Sequence, residues 1–182
     1  MPKMRIITLS RLNRAVSRVQ DELIRHGFWD DTLSDVDVYL VPLGTALGWQ
    51  LNDGSGEIRI PLASLSRLGE VFRGCYTPLA DVLRHEYGHA IADTHRGLFR
   101  ARRFSSAFGA TYQNDTEWEF DPECHVSEYA AKSACEDFAE VFMLFLRHRG
   151  RLPQKFDTPT IRDKWKFVRE LGAVLREGRA RW

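Results

Sequence analysis

Cysteine is scarce in this chain: Cys75, Cys124 and Cys135 form an odd set without a Cys-x-x-Cys pair, which argues against a disulfide framework or a zinc ribbon. Net charge is nearly absent. A formal charge of +1 over 182 residues offers no electrostatic reason to expect nucleic acid or an anionic membrane as partner. Arginines do cluster at Arg96, Arg100, Arg102 and Arg103, and again at Arg176, Arg179 and Arg181. Neither cluster is embedded in a nucleic-acid-binding motif, so solvated surface accounts for both. No run approaches the roughly 18 apolar residues of a membrane span. Residues 1–10 lack the apolar core and small-residue cleavage site of a signal peptide, and a cytoplasmic protein is expected. Internal repeats and low-complexity linkers are also missing. What remains, at 43% apolar and 28% charged residues, is the composition of an ordinary globular chain, of a length that suits one domain spanning residues 1–182.

Along the chain, residues 6–9 read as a short strand, followed by a helix from a Ser10 cap to about His26 that Gly27 ends. Its apolar positions Leu12, Ala15, Val16, Val19, Leu23 and Ile24 recur at helical spacing. Residues 35–42 alternate as a strand does, with Pro42 as the stop, and Gly44 and Gly48 mark turns. Residues 49–51 and 57–62 flank a turn-forming stretch at 52–56, which predicts a hairpin. Pro61 has no N–H to donate, so it either places the second hairpin strand at a sheet edge or ends the strand there. There Ile58, Arg59 and Ile60 would either present backbone groups to an extended peptide or simply complete the sheet. A short helix is expected over residues 65–72.

A central helix follows, with Thr77 as cap, Pro78 in the first helical position, an apolar face of Leu79, Val82, Leu83, Tyr87, Ala90 and Ile91, and Gly97 as its end. It carries His85-Glu86-Tyr87-Gly88-His89. Two histidines four residues apart lie one turn above each other, so both imidazoles can reach one metal ion, with the intervening carboxylate beside it. This is how zinc takes two ligands from one helix while a glutamate manages the proton of an activated water. A third ligand is then required. Downstream candidates are His95, Glu117, Glu119, Glu123, His125, Glu128, Glu136, Asp137 and Glu140. Residues 98–126 show aromatics but no regular pattern. From Ser133 a strong helix runs to Arg147 with Phe138, Val141, Phe142, Phe145 and Leu146 inward, closed by Gly150 and Pro153. Glu136 leads because it sits in the first turn of this helix, and Glu140, one turn on, could bind the distal nitrogen of a ligand histidine. Glu136 could instead complete a capping box begun by Ser133, leaving Glu140 or Glu128 as ligand. Asp93 either orients His89 or lines the helix, and Cys124-His125 is a softer metal-binding pair or a buried thiol beside a histidine. A last helix capped by Thr158-Pro159 turns Ile161, Trp165, Val168, Leu171 and Leu175 inward. Helices around a small mixed sheet that precedes the metal helix make an α+β fold, with residues 1–75 as its helix-and-sheet part and 76–182 as its helical part.

The run Val126-Ser127-Glu128-Tyr129-Ala130, followed by Glu136-Asp137-Phe138-Ala139-Glu140 and preceded by the His-Glu-Tyr-Gly-His stretch, resembles the lethal-factor-like gluzincins and the related bacterial zinc-binding metallopeptidases. The likeness covers roughly residues 77–150; the N-terminal third carries no motif of that family, and the zinc-ribbon region of some members is missing. It implies a zincin-like domain, His85, His89 and Glu136 as zinc ligands, Glu86 as general base, Glu140 as the outer acid and Tyr129 as hydroxyl donor to the oxyanion. On residue type alone, Tyr129 could instead be a core aromatic with a satisfied hydroxyl. The function expected is zinc-dependent hydrolysis of a peptide bond in a peptide or protein substrate. The alternatives are a zinc-bound interaction or regulatory domain without hydrolysis, and a zinc hydrolase of a non-protein amide.

Overall fold

A computed structural model describes residues 6–42, 45, 47–52, 55–62 and 78–182. The helix expected over 65–72, the Thr77 cap, Cys75 and Gly44 lie outside these residues. The first helix, α1 (Leu9–His26), buries Leu12, Val19 and Leu23. Thr8, not Ser10, is its cap: its side chain accepts the Arg11 N–H at 3.3 Å. Gly27 ends it as expected, with its amide bonded to Ile24 and that of Phe28 to Leu23. Ile6 makes only a single bridge, and Leu9 already belongs to the helix.

After the single turn α2 (Asp31–Ser34), three strands form one mixed sheet: β1 (Asp37–Val41), β2 (Gly48–Asn52) and β3 (Ser55–Pro61). The spatial order is β1-β3-β2, with β1 parallel and β2 antiparallel to β3. The hairpin therefore forms, and of the two expected effects of Pro61 it is the strand end that holds: Pro61 closes β3, which lies at the centre of the sheet and not at its edge. Ile58, Arg59 and Ile60 sit in the central strand, paired with Val38, Tyr39 and Leu40 on one side, with Arg59 and Ile58 facing Gly48 and Trp49 on the other. Their backbone groups are not presented to a peptide, and Ile58 and Ile60 are buried. The physical reason is positional: Pro61 is the last residue of β3, where a missing N–H takes little from the ladder. Among the described residues, the edge strand that packs against the helix carrying His85 and His89 is β2, with β3 behind it in the sheet.

That helix, α3 (Leu79–Thr94), begins after Pro78 at the cap position, packs against α1 and the sheet, and buries Leu83, Tyr87, Ala90 and Ile91. It stops at Thr94, so Gly97 is not its terminator but lies inside α4 (Arg96–Phe99). With α5 (Arg102–Phe108), α4 occupies the start of the stretch that shows no regular pattern in the sequence. Phe99, Phe104 and Phe108 from these turns meet Phe138 and Phe167 edge-on at ring separations of 4.8–6.2 Å. Next come α6 (Ala134–Arg147), capped by Ser133, and α7 (Pro159–Arg176), capped by Thr158. No described helix is long and apolar enough to cross a membrane.

Two buried features fasten this frame. Arg84, 3% exposed, grips Glu22 of α1 through Nε (2.7 Å) and Nη2 (2.8 Å) and also binds Asp81, which in turn binds Arg147 of α6 at 3.0 Å. Burial opposes ionisation of Glu22, yet the Arg84 guanidinium outweighs it and holds the carboxyl below its ordinary range. This pair therefore supports the fold above the unfolded-state pKa of Glu22, and the support is lost as pH falls through the folded one. Arg84→Met strands a buried carboxylate, and an expected loss of about 3 kcal/mol lowers the melting temperature by roughly 10 °C in a thermal unfolding scan. Partial recovery in Glu22→Gln/Arg84→Met is expected from removing the unpaired charge. The second fastening is steric. A Cβ at Gly172 of α7 would lie 2.3 Å from the backbone oxygen of His26, so Gly172→Ala must push two helices apart. A loss of about 2 kcal/mol is expected, read as a melting point lowered by roughly 4–8 °C.

Candidate metal centre

The centre is assembled by α3 and the first turn of α6. Gly88 faces Ala139, where a Cβ would come within 3.3 Å of the Ala139 Cα; the bare α-carbon lets the two helices approach. His85 and His89 are one turn apart, and their Nε2 atoms lie 3.1 Å from each other. Glu136 Oε2 reaches the same point, 3.0 Å from His85 Nε2 and 3.5 Å from His89 Nε2. Among the described residues these three form the group able to hold a metal ion. Ligand atoms about 2.05 Å from a tetrahedral ion lie about 3.3 Å from one another, and the three observed separations bracket that edge. Glu136 Oε2 is buried without a well-directed hydrogen bond, as expected of a lone pair aimed at a cation instead of a donor. Two imidazoles and one carboxylate suit a borderline divalent ion with a fourth position left open.

The capping-box alternative for Glu136 is half met. Ser133 Oγ accepts the Glu136 N–H at 3.4 Å and caps α6, but the Glu136 carboxylate turns to the histidines. Glu140, the same face one turn later, accepts from His85 Nδ1 at 3.0 Å and from the Ser127 hydroxyl at 2.7 Å. In the neutral imidazole that bond places the proton of His85 on Nδ1 and leaves the Nε2 lone pair facing the centre. His89 is oriented by a residue the sequence did not single out: Tyr112, whose hydroxyl lies 3.1 Å from His89 Nδ1. Burial opposes charge on His85, yet the Glu136 and Glu140 carboxylates outweigh it and push its pKa up to about 9. Burial likewise opposes ionisation of Glu136, and the two facing imidazoles hold it well below the carboxylate range. Both shifts describe a site that attracts positive charge.

Around the centre lies a cleft of about 390 Å³. Glu86 borders it, and its Oε2 accepts the backbone N–H of Trp49 at 2.7 Å. Tyr129 also lines the cleft, its ring centroid 5.7 Å from that of His85. Asp93 does not touch His89; it accepts from the Trp49 indole at 2.8 Å. Cys135 borders the cleft, whereas Cys124 and His125 line a separate cavity of about 360 Å³ beside Phe108, Trp118 and Lys164. The cysteine near the metal centre is therefore not the one the sequence suggested. Glu128 is exposed.

Gly48, Trp49, Tyr112 and Ser127 are the site residues that sequence reasoning gave no role. Only Ser127 stood in a motif; Trp49 contributes a main-chain N–H, which residue type cannot reveal. No family model matches the chain, nor does any curated protein or solved structure.

Proposed function

We propose that this chain is a zinc-dependent peptidase of zincin-like architecture. The observation that carries the proposal is the convergence of His85 Nε2, His89 Nε2 and Glu136 Oε2 at tetrahedral-edge separations within a cleft bordered by a fourth acidic group, Glu86. His85, His89 and Glu136 would hold the zinc, which when bound would supply a water activated toward neutral pH and polarise a carbonyl oxygen. Glu86 takes the proton of the attacking water and delivers it to the leaving amine. The Tyr129 hydroxyl stabilises negative charge developing on the carbonyl oxygen. Glu140 and Tyr112 hold the two imidazoles in the tautomer that presents Nε2. An extended substrate has β2, not β3, as the strand beside it, at the Leu47 and Trp49 side of the cleft.

The test is metal analysis of the purified protein joined to a cleavage screen with a proteome-derived peptide mixture, using Glu86→Gln as blank. One zinc per chain with cleavage absent from the blank supports the proposal. One zinc per chain with no cleavage by the wild type favours a non-hydrolytic zinc domain.

A further inference from the structure

Trp49 fastens β2 to the metal helix with two donors. Its main-chain N–H donates to Glu86 Oε2 at 2.7 Å, and its indole Nε1–H donates to Asp93 Oδ2 at 2.8 Å. Glu86 and Asp93 lie two turns apart on one face of α3, so the strand is held at two heights along the helix. Outward and inward backbone groups alternate along a strand, and the Trp49 amide points away from β3. Glu86 is its acceptor, in place of a ladder partner. The surrounding residues are shaped for this contact. Gly48 has φ +90°, and a Cβ there would sit 3.0 Å from Glu86 Oε2. Gly56 on β3 leaves the space the indole fills, since a Cβ would fall 2.0 Å from Trp49 Cη2.

We propose that Trp49 and Asp93 are positioning residues for Glu86. The bond from the indole to Asp93 fixes β2 against α3; the Trp49 amide then holds one oxygen of Glu86 and leaves the other for proton transfer. The catalytic consequence rests on the peptidase function proposed above, but the hydrogen-bond coupling does not. Neither residue is among the three that form the metal centre.

Amide hydrogen exchange, read by NMR on the full ¹⁵N-labelled chain, tests the coupling without any substrate. In the wild type the residue-49 amide is expected to exchange slowly. Asp93→Ala and Trp49→Phe should each speed its exchange about tenfold or more, while Asp93→Asn, which keeps an acceptor for the indole, restores protection. The Ile58 amide in β3 should not change. With a peptide found in the screen, Asp93→Ala is expected to lower kcat about tenfold to a hundredfold, with KM within about twofold and zinc unchanged at one per chain. Unchanged protection at residue 49 in both variants overturns the coupling. Faster exchange with unchanged kcat overturns the positioning role, and so does loss of protection throughout β3 that Asp93→Asn fails to restore. If the wild type cleaves nothing, the exchange pattern still decides the coupling, and the failure belongs to the peptidase assignment alone.

Discussion

Glu86→Gln is expected to lower kcat by about 10²–10⁴ while leaving zinc at the wild-type stoichiometry. The amide side chain matches the carboxylate in size, and its oxygen can still accept the Trp49 N–H that Glu86 accepts at 2.7 Å. The cleft therefore keeps its shape. What is lost is the capacity to take a proton at neutral pH, which corresponds to roughly 3–5 kcal/mol of barrier. Because His85, His89 and Glu136 converge without Glu86, metal content should not follow activity down. Cleavage at the wild-type rate by zinc-loaded Glu86→Gln would remove the proposed general base. A loss of zinc in that variant would instead place Glu86 among the ligands. Metal analysis and single-turnover cleavage on one preparation separate these outcomes.

The readable half of this site is the half encoded by helical repeat. His85 and His89, or Glu136 and Glu140, are four residues apart, and local backbone geometry alone puts each pair on one face. The meeting of the two helices is a tertiary fact, but the apolar faces that cause it are periodic and equally visible. Tyr112 and Trp49 follow no such rule. Tyr112 sits in an irregular stretch whose path is set by contacts such as the Trp118 amide to the Ala131 oxygen, and Trp49 acts through a backbone group common to every non-proline residue.

That Pro61 ends β3 and does not mark a sheet edge has a related cause. Proline reports that an N–H is missing, not which neighbour would have received it, and at the last position of β3 the loss is small. The sheet order also depends on β1 joining β3 in parallel, a long-range pairing that alternation within either strand does not encode. Between residues 96 and 108 the failure was one of length. Helices of four and seven residues hold too few turns for a 3.6-residue period to register, although their phenylalanines form much of the aromatic core.

Glu136 and Glu140 of α6 should separate cleanly when each is removed. Glu136→Ala takes away one of three ligand atoms and is expected to leave the purified protein with little or no zinc after dialysis against a weak chelator. Two imidazoles alone are a poor set for an ion that takes three protein ligands and one open position in its catalytic sites. Glu140→Ala removes no ligand. It deprives His85 Nδ1 of its acceptor at 3.0 Å and Ser127 of its partner at 2.7 Å, freeing the ring to turn and the other tautomer to compete. The expected cost is about 10–100-fold in zinc affinity, with near-stoichiometric loading still reached at high zinc. Titration with a fluorescent zinc competitor measures both. If Glu140→Ala cannot be loaded while Glu136→Ala binds as tightly as the wild type, the two glutamates exchange roles, and the convergence at 3.0 and 3.5 Å belongs to a metal-free arrangement of the side chains.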